Sequence, residues 1–411
     1  MTNTQYLIIG GGIAGTSAAE VIRQNDSDGR IIIVSDEPYR LYSRIMLSKP
    51  NFFLGKIPFE NIYLKTPEFY TENKIELLTN RKAVKLDVKN KTIELNDKSI
   101  ISYDKLLLAL GTCARYLDVK GKEKGGIFAL RTLDDAKGII ETIKAAKKAV
   151  TVGGGFISFE ICDMLKKAGL EVTLVIREPY YWANLLDEES GTIIENAIEA
   201  GGVKIIKNEE IAEILGNDNV EGVITKNSGE TIPCQIITIG VGAFCPLNFI
   251  ETTDIKKMKG LKANEYLELS VPDVWTAGDV AEFKDVILNE QVILGNWANA
   301  QMQGRIAGLN MAGKKTMFKM VSSYTSSSFG VSIAFLGNVR TDEDKEVIKR
   351  GSREINSLGR FILKDGKLIG ATLINRTQEL PLLSKLVEQK IDLTSKKEEL
   401  ADLSFDLKKL I

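Results

Sequence analysis

The 411-residue chain contains no histidine. That absence excludes a Ser-His-Asp triad, a Cys-His nucleophile pair, an imidazole proton shuttle and any histidine-ligated metal or haem. Cysteine is scarce as well, with four residues at 113, 162, 234 and 245 and no CxxC or CxxxxC spacing. Such a set makes neither a disulfide framework nor a zinc site, and all four thiols read as reduced, small, buried hydrophobes. No apolar run approaches the roughly 18 residues of a membrane span. The opening MTNTQYLIIGGG enters a buried-strand pattern from Tyr6 in place of a charged and apolar leader, so a cytoplasmic location is expected. Charge of one sign is lacking too: 54 Lys plus Arg against 55 Asp plus Glu argues against a chain that coats nucleic acid. What remains is a globular composition, 44% hydrophobic and 27% charged, long enough for two or three domains. Any chemistry must come from other side chains or from a bound cofactor.

Two strand–glycine loop–helix patterns dominate what is present. The first runs from Gln5 to Gln24 (YLIIG, then GGGIAGTSAAEVIRQ) and the second from Ala149 to Lys167 (VTVGGG, then FISFEICDMLKK). Each is followed by another apolar strand, RIIIVSD at 30–36 and EVTLVIRE at 171–178, which makes each a βαβ unit. Alternating stretches AVKLDV (83–88) and KTIELND (91–97) predict a small antiparallel meander, followed by the buried strand KLLLALG (105–111). A similar meander follows the second unit, then, in DVWTAGDVAEF (273–283), a buried strand ending in Gly-Asp, and a helix over Trp297 to Met311. Beyond Lys314 the character changes to a Ser/Thr cluster, SSYTSSS at 322–328, and short strands. FILKDGKLIGA (361–371) predicts a hairpin about Asp-Gly, and helices are predicted at 379–390 and 395–410. The last of these is amphipathic, able to pack on its own domain or on a second copy, so a homodimer stays open.

The first loop, Gly10-x-Gly12-x-x-Gly15, has the spacing that binds a dinucleotide. Gly10 permits the tight turn, Gly12 lets backbone N–H groups approach a pyrophosphate, and Gly15 allows close helix packing, with Ile13 and Ala14 between them. Asp36 and Glu37 close the next strand, where a carboxylate holds a ribose. The second loop, Gly153-x-Gly155-x-x-Ser158, departs at its third position, and its following strand carries Ile176 where an acid is usual, with Arg177 and Glu178 beside it. Arg177 suits a 2′-phosphate and Glu178 a 2′-hydroxyl, so NADH and NADPH both remain open. Two such folds suggest a flavin on the first and a nicotinamide on the second. Hydride transfer to a flavin N5 needs no protein base, which suits a chain without histidine.

GGGIAG, YSRIMLSK (42–49), LGTCARY, VGGGFISFE and WTAGDVAEF, in that order, resemble the FAD-dependent pyridine-nucleotide oxidoreductases. Within them the chain is most similar to NADH:rubredoxin oxidoreductases, ferredoxin reductases and the flavin part of nitrite reductase. The resemblance implies an α/β, three-layer, glutathione-reductase-like fold with two Rossmann-like domains and a small α+β C-terminal domain. It places an FAD domain at 1–112 and 246–318, an NAD(P)H domain at 113–245 and the C-terminal domain at 319–411. It also implies FAD contacts by Arg44, Lys49, Ala83 and Arg131, and a ribityl contact by Asp279 after Gly278. A helix starting at Asn296 and Trp297 is implied to aim its N-terminus at the flavin pyrimidine. Lys49 and Glu160 are implied as a pair at the flavin ring and are the two candidate catalytic residues. Relatives that reduce disulfides carry cysteine just after the first unit, whereas here the first cysteine is Cys113.

Without a thiol acceptor, electrons leave the flavin directly, and a small one-electron iron carrier, rubredoxin or ferredoxin, is the expected partner. Residues 314–411 contain 18 Lys plus Arg against 13 Asp plus Glu, leaving 36 against 42 in residues 1–313. A basic C-terminal region suits an acidic carrier. Two alternatives stand beside this expectation. One is an NAD(P)H oxidase or nitrite-reductase-like electron-entry subunit. The other, of a different class, is a flavin-binding redox sensor or interaction protein whose pyridine site has decayed at Ser158 and Ile176. Nucleic-acid and membrane partners are not expected.

Overall fold

The computed structural model describes residues 2–411, which fold into two compact units. The first unit comprises the segment ending at Ser43 together with Phe59–Cys113 and Phe244–Ser322. The second comprises Arg44–Pro58, Ala114–Ala243 and Ser323–Ile411.

The first unit is built on a seven-stranded sheet. Its parallel part runs Ile75–Leu78, Ile31–Val34, Thr2–Ile9 and Ile100–Leu108, with Val274–Thr276 added alongside the last. Ile9 lies level with both Val34 and Leu108, so the three strands end together beneath the first glycine loop. Tyr6–Ile9, Ile31–Val34 and Leu106–Leu108 read as continuous apolar runs because both faces are covered there. Tyr6, Ile8, Ile31, Ile33 and Leu107 face one core, shared with helices Ile13–Asn25 and Trp297–Met311. Leu7, Ile9, Ile32, Leu106 and Leu108 face the other, shared with the antiparallel pair Ala83–Asp87 and Thr92–Leu95. The period of two along each strand thus divides one apolar sequence between two interiors.

The two helices cross through small residues. A Cβ on Gly304 would overlap the Ala14 carbonyl, and one on Gly308 would stand 2.7 Å from the Ala18 carbonyl oxygen. No local periodicity announces that seam, because its partners lie far apart in the chain.

The second unit repeats the pattern with a five-stranded parallel sheet in the order Val203–Ile206, Glu171–Val175, Lys148–Val152, Ile236–Ile239, Ile127–Phe128. An antiparallel meander, Ile211–Leu215, Gly222–Thr225 and Thr231–Pro233, packs with it around Val150, Val223 and Cys234. The C-terminal part is a five-stranded antiparallel sheet from Ser323–Ser328 to Lys367–Ile374. The predicted hairpin is present: Asp365 and Gly366 take φ of 51° and 71°, and Lys364 faces Lys367 across the turn.

Two sequence expectations are corrected. The helix expected over 395–410 is only Lys397–Ala401, followed by a turn and the 3-10 segment Leu407–Leu410. The cause is Arg350, 4% exposed, whose guanidinium donates to the carbonyls of Leu400, Asp402, Leu403 and Phe405. Those acceptors, turned toward one buried cation, are lost to a continuing helical ladder. Among the cysteines, Cys162 and Cys234 are buried as expected, but Cys113 is exposed and Cys245 half-buried. Cys113 lies in a two-residue strand outside the large sheets, where no core covers it. No described helix is long and apolar enough to cross a membrane.

Candidate functional site: two glycine loops and a buried glutamate paired with Lys49

The first loop turns at Gly10, whose φ of +118° is open to glycine and whose N–H donates to the Val34 carbonyl at 2.8 Å. A Cβ there would overlap the Ala109 carbonyl oxygen, and one on Gly15 would overlap the Gly10 carbonyl oxygen. Gly12 differs, because a Cβ on it would meet nothing within 4 Å. It caps helix Ile13–Asn25 with no side-chain acceptor, so the positive helix end opens onto free space. At the end of the next strand Asp36 is exposed, while Glu37 is half-buried and accepts the Tyr42 hydroxyl at 2.6 Å. Ala83 is buried at the start of its strand.

In the same unit Gly278 has φ +85° and donates its N–H to Gln303 Oε1 at 2.7 Å. The Asp279 side chain lies 3.5 Å from the Thr112 hydroxyl. Asn296 caps helix Trp297–Met311 by accepting the Asn299 N–H at 2.8 Å. Gln303 is fully buried, and its Nε2 is one of the orphaned buried polar atoms among the described residues.

The second loop repeats the construction. Gly153 has φ +109° and abuts the Gly240 carbonyl, while Gly155 caps helix Phe156–Lys167 without a side-chain acceptor. Only the Gly240 oxygen, at 3.7 Å, would meet a Cβ at Gly155. Ser158 is completely buried against Gly240, so the third position demands a small residue and serine satisfies it. The Tyr181 hydroxyl donates to the Gly155 carbonyl at 2.7 Å and ties the following loop beneath the turn. Ile176 is buried in the core. Beyond it Arg177 is exposed and pairs with Glu178 at 3.0 Å, and the Glu178 carboxylate stands 3.8 Å from where a Gly154 Cβ would be.

Lys49 and Glu160 meet within the second unit. The 3-10 segment Arg44–Ser48 delivers Lys49, whose Nζ donates to Glu160 Oε1 at 2.7 Å. Arg44 anchors that segment by donating to the Arg131 carbonyl at 2.8 Å. Arg131 in turn enters a helix locked by the Thr132–Asp135 capping box. Glu160 is 4% exposed, and an unpaired carboxylate at that depth is expensive. It is not unpaired: besides Lys49, the Ser326 hydroxyl donates to Oε1 at 2.8 Å and the Ser48 hydroxyl donates to Oε2. Burial, and secondarily the Glu160 charge, pushes the nearby Tyr324 hydroxyl well above its ordinary value. Around the helix start, Phe156 packs on Tyr324, Trp182 and Phe335 with ring centroids 4.1, 4.5 and 5.1 Å away.

Sequence reasoning singled out Lys49 and Glu160 but missed Ser48, Ser326, Thr112 and Gln303. Ser48 stands inside the quoted YSRIMLSK and Ser326 inside the Ser/Thr cluster, so both were visible without a partner. Gln303 carries no local signal.

Two glycine-turned nucleotide folds with helix ends open to an anion define a two-dinucleotide oxidoreductase scaffold. The chain belongs to the pyridine nucleotide-disulphide oxidoreductase family, whose profile matches residues 4–304, and a reductase C-terminal profile matches residues 325–411. It is 28% identical over 369 residues to rubredoxin-NAD(+) reductase of Pseudomonas putida, covering 90% of this chain and 95% of that protein. It is 28% identical to nitrite reductase [NAD(P)H] of Bacillus subtilis (strain 168) over 96% of this chain, but spans only 48% of that protein's length. The crystal structure of the ferredoxin reductase for the CYP199A2 system from Rhodopseudomonas palustris superposes with a TM-score of 0.88 at 29% identity, covering 99% of each chain. FAD and NAD(P)H are the family's cofactors, and the open space at Gly12 and Gly155 fits a pyrophosphate on each loop.

Proposed function

We propose that the protein carries electrons between NAD(P)H and a small one-electron iron carrier of the rubredoxin or ferredoxin type, without a redox-active disulfide. The observation that carries this reading is the Lys49–Glu160 pair, set on a segment with no cysteine before residue 113. FAD, when bound, accepts two electrons from the nicotinamide and releases them one at a time. Gly10, Gly12, Gly15, Asp36 or Glu37, Ala83, Gly278 and Asp279, with Arg44, Lys49 and Arg131, are assigned to holding it. The helix beginning at Asn296 and Trp297 contributes its positive end as a fixed charge for the reduced ring. Gly153, Gly155 and Glu178 are assigned to the nicotinamide dinucleotide. Lys49 and Glu160 are assigned to the reacting rings, where a buried carboxylate, already satisfied by a half-buried lysine and two hydroxyls, offers charge that need not reorganise. The half-buried Glu178 carboxylate lies at the loop while the exposed Arg177 guanidinium is neutralised by pairing with it, which supports NADH over NADPH.

Anaerobic addition of NADH, then NADPH, to the purified yellow protein tests the first half. Fast bleaching with NADH is expected, and no bleaching with either would favour a redox sensor. Adding rubredoxin or ferredoxin and following its reduction tests the second half. A bleached enzyme that reduces neither carrier but passes electrons to oxygen or a nitrite-reducing partner would replace this reading with the oxidase or electron-entry one.

A further inference from the structure

The Ser/Thr cluster at 322–328 has no part in the nucleotide-binding reading. It forms the strand Ser323–Ser328, in which Thr325 and Ser327 are exposed while Ser326 and Ser328 are buried. A strand face laid against a helix is ordinarily apolar, and this one carries hydroxyls. The reason lies across the contact. Tyr324 packs on Phe156, the first residue of helix Phe156–Lys167, and Ser326 bonds Glu160 on the same helix. Two residues of strand advance about 6.6 Å and four residues of helix about 6 Å. The strand pair 324 and 326 therefore keeps step with the helix pair 156 and 160, one contact apolar and the next polar.

Lys49 alone would hold the Glu160 carboxylate loosely. Its side chain is 32% exposed and ends in a flexible stem, so a single ammonium contact leaves the last torsion of Glu160 free to turn. Ser48 on one oxygen and Ser326 on the other, from segments far apart in the chain, stop that rotation.

We infer that Ser326 is a positioning residue, holding Glu160 Oε1 in the orientation that presents it to Lys49, and so bringing the C-terminal domain into the nicotinamide–flavin exchange. The inference rests on the reading that Glu160 serves that exchange. Its kinetic test is anaerobic stopped-flow reduction of the full-length, FAD-loaded protein by NADH in the wild type and in Ser326→Ala, Ser326→Cys and Ser326→Thr. Loss of one hydrogen bond to a buried charge should slow the limiting rate about tenfold in the alanine variant. The half-saturating NADH concentration should stay unchanged. The near-isosteric cysteine, a weak donor, should be as slow as alanine, and threonine should restore the rate. A full rate with alanine or cysteine, or threonine as slow as alanine, overturns the inference. Should alanine fail to fold, the cysteine and threonine variants decide the question. A wild type that neither NADH nor NADPH reduces takes down the oxidoreductase reading itself, whereas a fast wild type with an equally fast alanine variant removes only the role of Ser326.

A second readout needs no turnover. In a double-mutant cycle of chemical unfolding, Ser326→Ala should shift the midpoint clearly less in a Glu160→Gln background than in the wild type. Equal shifts in both backgrounds would mean that the hydroxyl does not act through the carboxylate, and would overturn the proposal.

Discussion

Gly12 and Gly15 belong to one short motif yet answer to different constraints. Gly15 lacks a side chain because the Gly10 carbonyl fills the space, whereas the space at Gly12 is empty. Gly15→Ala should therefore lower the stability of the apoprotein itself, by about 1–3 kcal/mol for an overpacked site. Gly12→Ala should change it by less than about 1 kcal/mol and still abolish FAD retention if, as proposed, the methyl would occupy the approach to the pyrophosphate. Thermal unfolding of the apoproteins and flavin content after gel filtration separate the two, and equal destabilisation would make the loop merely structural. The thiols sort themselves by the same logic of local space. Burial pushes Cys162 and Cys234 up to about 12, which leaves them as inert thiols at neutral pH. Cys245 is raised too, first by burial and then by Asp279 and Glu282. Peptide mapping after alkylation at pH 8 should find exposed Cys113 modified first and Cys245 later, with Cys162 and Cys234 reacting only after unfolding.

Elements hold together through contacts that sequence periodicity cannot express. Glu209, 4% exposed, joins two turns by accepting the N–H groups of Asn227 at 2.7 Å, Ser228 at 2.9 Å and Glu210 at 3.0 Å. Those backbone donors, the Asn227 N–H foremost, hold its carboxyl down to about 2, against an ordinary 4.5. A carboxyl depressed in the folded state stabilises above its unfolded value and loses that contribution as pH falls through the folded one. Glu209→Gln should thus lower the urea midpoint at pH 6, and the wild-type and variant curves should converge between pH 4.5 and about 2. Parallel curves would deny the linkage. Both βαβ units, the helix Trp297–Met311 and the Asp365–Gly366 hairpin were legible, because each is written within one short stretch as a period, a glycine turn or a cap. Glu160 and Lys49 were legible only through the family resemblance, and their serines not at all, since a hydroxyl in a strand pattern does not say what it faces. The amphipathic pattern over 395–410 predicts a longer helix than forms for the same reason: the pattern is genuine, but Arg350, some fifty residues earlier, claims its carbonyls.

For the whole molecule, the nearly neutral total conceals an uneven distribution of charge. Residues 314–411 carry 18 Lys plus Arg against 13 Asp plus Glu, and the preceding 313 residues carry 36 against 42. A near-zero sum gives no long-range attraction toward an acidic protein, but a basic C-terminal region can orient one as it approaches. In the proposed reading the nicotinamide dinucleotide is held by a loop of backbone N–H groups, and its reduction of the flavin is a step within a formed complex. The two halves of turnover should therefore respond differently to salt. Raising ionic strength from about 0.01 M to about 0.15 M shortens the screening length from about 30 Å to about 8 Å. The second-order rate constant for reduction of an acidic rubredoxin or ferredoxin should fall severalfold across that range, while the limiting rate of flavin reduction by NADH stays level. Reversing Lys408 and Lys409, two basic residues of the last turn, should flatten the salt dependence without touching flavin reduction. If carrier reduction proves independent of salt, the excess charge of the C-terminal region has no part in the encounter, and recognition must rest on short-range fit.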